Sequence, residues 1–146
     1  MDFLTVFNIN KKKKEPIPEA HRYLEKARKI LSKNGRKKGE YYNSKRYVRK
    51  AGNTAWKGVL IAVEALTQAK TNKNKKARVS IDDYRDYEDK FADINYINHL
   101  DNLYIFFHFA MSCDGCSDYV MVNTSLKRAD EFISKIEKKL KLSGNQ

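Results

Sequence analysis

Apolar residues recur along this chain at steps of three and four, the spacing that lays one face of an α-helix against a core. Pro16 and Pro18 suit a first helical turn, and behind them Ala20, Leu24 (or Tyr23), Ala27 and Leu31 form a stripe that stops at Asn34 and Gly35. From Tyr41 the same period runs through Ser44, Val48, Ala51, Ala55, Val59, Ala62 and Ala65 to Ala69, the longest helix in the pattern. One side of it lacks bulk (Ala51, Gly52, Ala55, Gly58, Ala62), so a neighbouring helix is expected to approach closely there. Gly52 and Gly58 each cost about 1 kcal/mol of helix propensity relative to alanine and read as packing positions. Trp56 is expected on a flank, over an adjacent helix or a partner.

Residues 71–78 carry neither a helical nor a strand period and read as a loop. Ser80 and Asp83 then resemble a capping box with Asp in place of the usual Glu. Tyr84, Tyr87, Phe91, Ile94, Ile97, Leu100, Tyr104, Phe107 and Met111 continue the helical period, and two consecutive steps of three at Ile94 predict a kink or short break near Asn95. The Cys113-Asp-Gly-Cys116 segment makes a turn. Beyond it Ser117 or Asp118 can cap a last helix marked by Val122, Ala129, Ile133, Ile136 and Leu140. The pattern therefore predicts an all-α protein with helices at about 16–34, 40–70, 80–112 and 117–142. Their short connections favour an antiparallel up-down-up-down four-helix bundle. Residues 1–14 read as an appendage, 15–142 as one domain and 143–146 as a tail.

Composition adds limits. At 146 residues, with 41% apolar and 33% charged, the chain fits one domain, and two prolines with six glycines argue against a many-turned all-β fold. The formal net charge of +12 is uneven: through residue 79 there are 22 Lys and Arg against 6 Asp and Glu, and beyond it 8 against 12. Basic and acidic helices lying side by side would account for this in part. The sharper reading is contact with nucleic acid, or with an acidic protein partner, through Arg36, Lys37, Lys38, Lys45, Arg46, Arg49 and Lys50. Tyr41, Tyr42 and Tyr47 are interleaved with these cations, and unpaired bases stack on aromatic faces. The longest nearly apolar run, 103–111, is half the length of a membrane-spanning helix. At the N-terminus Phe3, Leu4, Val6 and Phe7 precede the lysines at 11–14, the reverse of a secretory signal, so the cytoplasm is the expected location and no membrane the expected setting.

Candidate chemistry is sparse. Cys113 and Cys116 have the spacing of a thiol pair, but a zinc site needs about four ligands and no second pair completes it, and a redox pair normally follows a strand rather than a helix, so they read first as a structural turn and only weakly as metal ligands or a redox pair. No cofactor is expected. His21, His99 and His108 have no nucleophile or carboxylate partner nearby in sequence, and catalysis is not the expected role. The acidic series Asp82, Asp83, Asp86, Glu88, Asp89 and Asp93 reads first as a solvated face, with a metal site as the lesser alternative. Residues 103–111 are apolar around nearly the whole helix, and the surplus face needs cover from residues 1–7 or from a second subunit. A homodimer closed over Tyr104, Ile105, Phe106 and Phe109 is the expectation.

The run Glu19-Ala-x-x-Tyr-Leu-x-x-Ala27-x-x-x-Leu31, followed by a long helix with Ala51, Ala55, Ala62 and Glu64-Ala-Leu66, resembles the small HEPN-like helical bundles and the related nucleotidyltransferase substrate-binding subunits. It also resembles an uncharacterised bacterial family of bundle proteins with a domain of unknown function. The resemblance spans roughly residues 16–142 and implies a dimerising helical scaffold. Ribonucleases of the HEPN group place an arginine shortly before a catalytic histidine. Here the residues five to seven places before each histidine include no arginine, so no catalytic residue carries over. The expected function is a helical bundle that acts by binding, as a homodimer, with an RNA-binding module of HEPN type as the alternative.

Overall fold

In a computed structural model the described residues are 15–71 and 94–144. The expected appendage, the loop after residue 71, the capping box at Ser80 and the acidic series from Asp82 to Asp93 lie outside them, and so does the arm of the third helix that would precede a kink. Helix α1 is Pro16–Asn34, with Ile17, Ala20, Leu24, Ala27 and Leu31 buried as the pattern requires. It ends where the Gly35 amide donates to the Leu31 carbonyl at 2.9 Å. A Cβ on Gly35 would stand 2.5 Å from that oxygen, so the stop needs glycine for space.

The chain then departs from the predicted pattern. Lys37–Lys38 (β1) and Tyr41–Tyr42 (β2) pair antiparallel, with Lys37 opposite Tyr42 and Lys38 opposite Tyr41. Gly39 turns the hairpin at φ 64, and a positive φ at the first central residue alone is the pattern of a type II′ turn. Helix α2 is consequently Lys45–Thr71, beginning several residues later than the predicted start near residue 40. Tyr41 falls on a helical period by coincidence and belongs to the ladder, while Ser44 stands just before the helix, its amide donating to the Gly35 carbonyl at 3.0 Å and its carbonyl accepting from the Val48 amide at 3.1 Å.

Helix α3 is Ile94–Leu103 and passes directly into a π-helix, Tyr104–Cys113. Its buried residues explain the change of winding. Leu103, Phe107 and Met111 succeed one another at steps of four. Hydrogen bonds from i to i+5, such as Asp114 N–H to the Phe109 carbonyl at 3.0 Å, widen each turn and keep that spacing on the inner face. Helix α4, Tyr119–Gly144, begins two residues later and extends two residues further than the predicted 117–142.

Later residues of each helix oppose earlier residues of its neighbour. Gly58 of α2 packs on Ala20 and Tyr23 of α1. Gly52 lies against Met111, and Trp56, one turn on, packs on Tyr104 in a tilted pair with ring centroids 5.2 Å apart. Tyr96 and His99 both meet Phe132 of α4, at 4.8 and 5.1 Å. The described residues thus form an all-α, antiparallel up-down-up-down bundle with one small hairpin, and Ala55 and Ile133 are fully buried in its core. None of its helices is long and apolar enough to cross a membrane.

The two glycines of α2 set the helix spacing. A Cβ at Gly52 would sit 2.5 Å from the Met111 Cβ and 3.0 Å from the Phe107 carbonyl, and at Gly58 2.8 Å from the Ala20 carbonyl. Backbone atoms cannot swing aside as a flexible side chain can. Gly52→Val is expected to destabilise the fold by about 2 kcal/mol despite its better helix propensity, measured as a lower urea midpoint. An unchanged midpoint would show that α2 and the π-helix are not held this closely.

Candidate nucleic-acid interface and adjoining cleft

The α1–α2 hairpin and the turn between the π-helix and α4 meet at one end of the bundle. Tyr42 N–H donates to the Ser117 carbonyl at 2.8 Å, Tyr119 N–H donates to the Glu40 carbonyl at 2.9 Å, and Tyr41 bridges to Asp118. Pleating decides the fate of the two tyrosines. Tyr42 turns inward, packs on Tyr119 at 5.4 Å and accepts a hydrogen bond from Asn123 Nδ2, whereas Tyr41 remains 54% exposed. Of the three tyrosines read as stacking platforms, then, Tyr42 belongs to the core, Tyr47 is half-buried and Tyr41 is open.

All seven basic residues singled out in the sequence are exposed on this end, and none forms an ion pair among the described residues. Lys37 places its Nζ 3.9 Å from the centre of the Tyr119 ring, and the Arg46 guanidinium lies 5.8 Å from Tyr47. Gly115 (φ 68) brings the 113–117 turn against α2: a Cβ there would stand 3.3 Å from Arg49 Nε and 3.4 Å from Lys45 Cβ. Three carboxylates share this end. Asp118 accepts from the Met121 amide at 2.9 Å, while Glu40 and Asp114 form no ion pair among the described residues.

Two features of this arrangement work against local stability. Lys45, Arg46, Arg49 and Lys50 occupy the first two turns of α2, where the helix dipole is positive, and the first turn holds no acidic residue to oppose it. Arg36 is held at φ 55, a left-handed conformation that costs a side-chain-bearing residue about 1 kcal/mol or more. Its carbonyl accepts from the Asn43 amide at 2.9 Å, which fixes it at the base of the hairpin.

A cleft of about 820 Å³ opens between α3 with the π-helix on one side and α4 on the other. Asn95, Asn98 and Asn102, spaced to share one face of α3, line one wall; Thr124, Ser125, Arg128 and Glu131 of α4 line the other. Ile105, Phe106, Val120 and Met121 form its apolar end. Sequence reasoning missed this cleft, because three asparagines leave no trace in an apolar period. His99 also lines it. Burial holds the His99 imidazole below its ordinary pKa of 6.5, reinforced by Lys135, while the Arg128 backbone and Glu131 pull the other way.

The unfolded chain therefore protonates His99 at a higher pH than the folded one. Its neutral form supports the fold fully above about pH 6.5, and that support declines as the pH falls below this value toward the lower folded pKa. His99→Gln is expected to flatten this part of the pH–stability profile; a profile identical to wild type would remove His99 as its source.

The expected dimer residues divide. Ile105 is 55% and Phe109 46% exposed, whereas Tyr104 and Phe106 are half-buried against the core. Tyr104 stacks on His108 and meets Trp56 at a tilt. Cys113 and Cys116 are free thiols, the first exposed and the second half-buried, and no group of three or more His, Cys, Asp or Glu residues gathers to hold a metal among the described residues.

A clamp between α1 and α4 was also beyond sequence reasoning. In it His21 Nδ1 donates to the Asp130 Oδ1 at 2.8 Å. Arg28 donates to its other oxygen and to Glu25 at 2.7 Å. An arginine and a histidine do meet here, in the order opposite to the ribonuclease pattern, and both are tied to Asp130.

The bundle and its basic end define an all-α scaffold class, and comparison with known proteins gives that class a family. The chain belongs to the family described as a domain of unknown function, DUF5618, whose model matches residues 15–138. A solved structure described as a protein of unknown function from Dyadobacter fermentans is similar, at 31% sequence identity and a TM-score of 0.75, covering 85% of this chain and 95% of that one. No curated protein matches. These findings fit the uncharacterised-family resemblance and give no support to the HEPN-like one.

Proposed function

We propose that the protein acts by binding, and that its basic end docks single-stranded RNA. The observation that carries this reading is the gathering at one end of the bundle of seven exposed cations that form no ion pair among the described residues, four of them against the positive end of the α2 dipole. Such crowding is unfavourable in the protein alone, and a phosphate chain relieves it. Tyr41, exposed beside these cations, supplies a face on which a base can stack. The test is a titration of the full chain against a labelled single-stranded RNA of about 12 nucleotides, read by fluorescence anisotropy. Binding at 50 mM salt that weakens on the order of a thousandfold by 200 mM is the expected result. Absence of binding at the lower salt overturns the reading, and binding that ignores salt transfers it to an uncharged surface.

A second reading concerns assembly and is supported by the exposure of Ile105 and Phe109 four residues apart on one face. A second copy seated there makes a homodimer, and light scattering at micromolar concentration then gives twice the 17.1 kDa chain mass. A mass of one chain removes it. Ile105 also lines the apolar end of the cleft, so a second copy seated there borders the cleft.

A further inference from the structure

The cleft between α3 and α4 is joined to the basic end through the first turn of α4. Tyr119 carries Lys37 on its ring, and the next two residues, Val120 and Met121, line the apolar end of the cleft. Its volume of about 820 Å³ is in the range of sites that enclose small organic ligands. Its walls offer hydrogen-bonding groups that are mostly uncharged. The side-chain amides of Asn95, Asn98 and Asn102 are exposed, and none is hydrogen-bonded among the described residues. His99, kept neutral by burial, and the half-buried Phe106 ring add planar surface among them.

We infer that this cleft receives unpaired bases of the strand whose phosphates lie on the basic end, and that it favours adenine. The inference rests on the RNA-binding reading above and adds to it the part of the ligand that is read. A side-chain amide presents a donor and an acceptor side by side, which match the N6 amino group and N7 of adenine in a bidentate pair. Three such amides at successive turns of one helix face offer this edge repeatedly. Single-stranded RNA is read in this way, by splayed bases that stack on aromatic rings and expose their edges to side chains. Arg128 on the opposite wall is the one cation among the described lining residues and supplies a phosphate contact between the bases.

The test compares oligo(A), oligo(U) and oligo(C) of equal length against the full chain at one salt concentration, for wild type, Asn98→Leu and Asn102→Leu. Both asparagines are exposed, and circular dichroism checks that the variants keep their helices. Wild type is expected to bind oligo(A) about tenfold or more tightly than the pyrimidine strands. Each variant is expected to lose most of that preference while keeping the salt dependence of wild type. Equal affinity for the three strands with a steep salt dependence overturns the base-reading cleft and leaves the basic-end reading standing. A preference for oligo(A) that survives both substitutions also overturns the cleft, and a failure to bind any strand removes both readings.

Discussion

Phe107→Ala is expected to cost about 3–5 kcal/mol of stability, the largest effect of any single substitution considered in this protein. Phe107 is fully buried in the π-helix, and its own carbonyl is among the atoms that a side chain at Gly52 would strike. The cavity left by the missing ring lies where α2 and the π-helix are closest, so neither helix can settle further into it. Thermal unfolding followed by circular dichroism should show the midpoint falling by about 10 °C or more. A fall of only one or two degrees would mean that the π-helix frays from the bundle and that Phe107 is not part of a fixed core.

The second large effect concerns the basic end. Reversing Lys37, Arg46, Arg49 and Lys50 to glutamate removes four of seven candidate phosphate contacts and places carboxylates at the start of α2. For single strands each contact contributes about 0.7 to the slope of log affinity against log salt, so wild type is expected to approach a slope near −5 and the variant to lose about 3 of it. Affinity at low salt should fall by on the order of a hundredfold or more. The helices are expected to persist, because the three new carboxylates in α2 favour its N-terminus and all four side chains are exposed, although the contacts of Lys37 with Tyr119 and of Arg46 with Tyr47 are lost. Equal RNA affinity in wild type and variant would rule out this end as the binding surface.

Helix α1 is legible in the sequence because three signals agree on it: prolines at the start, one unbroken apolar stripe and Asn-Gly at the stop. The close contacts of Gly52 and Gly58 are legible for a related reason, since only tight packing compensates for glycine inside a helix. The hairpin is not. Two strands of two residues each are too short to show alternation, and Tyr41 and Ser44 extend the period of the helix that follows. The π-helix is hidden in the same way: Leu100, Tyr104, Phe107 and Met111 satisfy an ordinary helical period, and only the burial of Leu103 reveals steps of four.

The candidate site divides along similar lines. Its cations are clustered in sequence and remain clustered in space, because a short hairpin and one helix start carry all seven. Which tyrosine faces solvent depends on the pleat of a ladder that the pattern does not show. The His21–Asp130–Arg28 clamp joins residues more than a hundred positions apart, and the cleft is walled by polar side chains that an apolar period ignores.

Hydrogen exchange of the full chain with and without saturating single-stranded RNA measures directly where the ligand sits. Slower exchange in residues 36–50, extending into 115–121, is the predicted result. Protection confined to α1, with residues 36–50 exchanging as they do in the unbound protein, would contradict it.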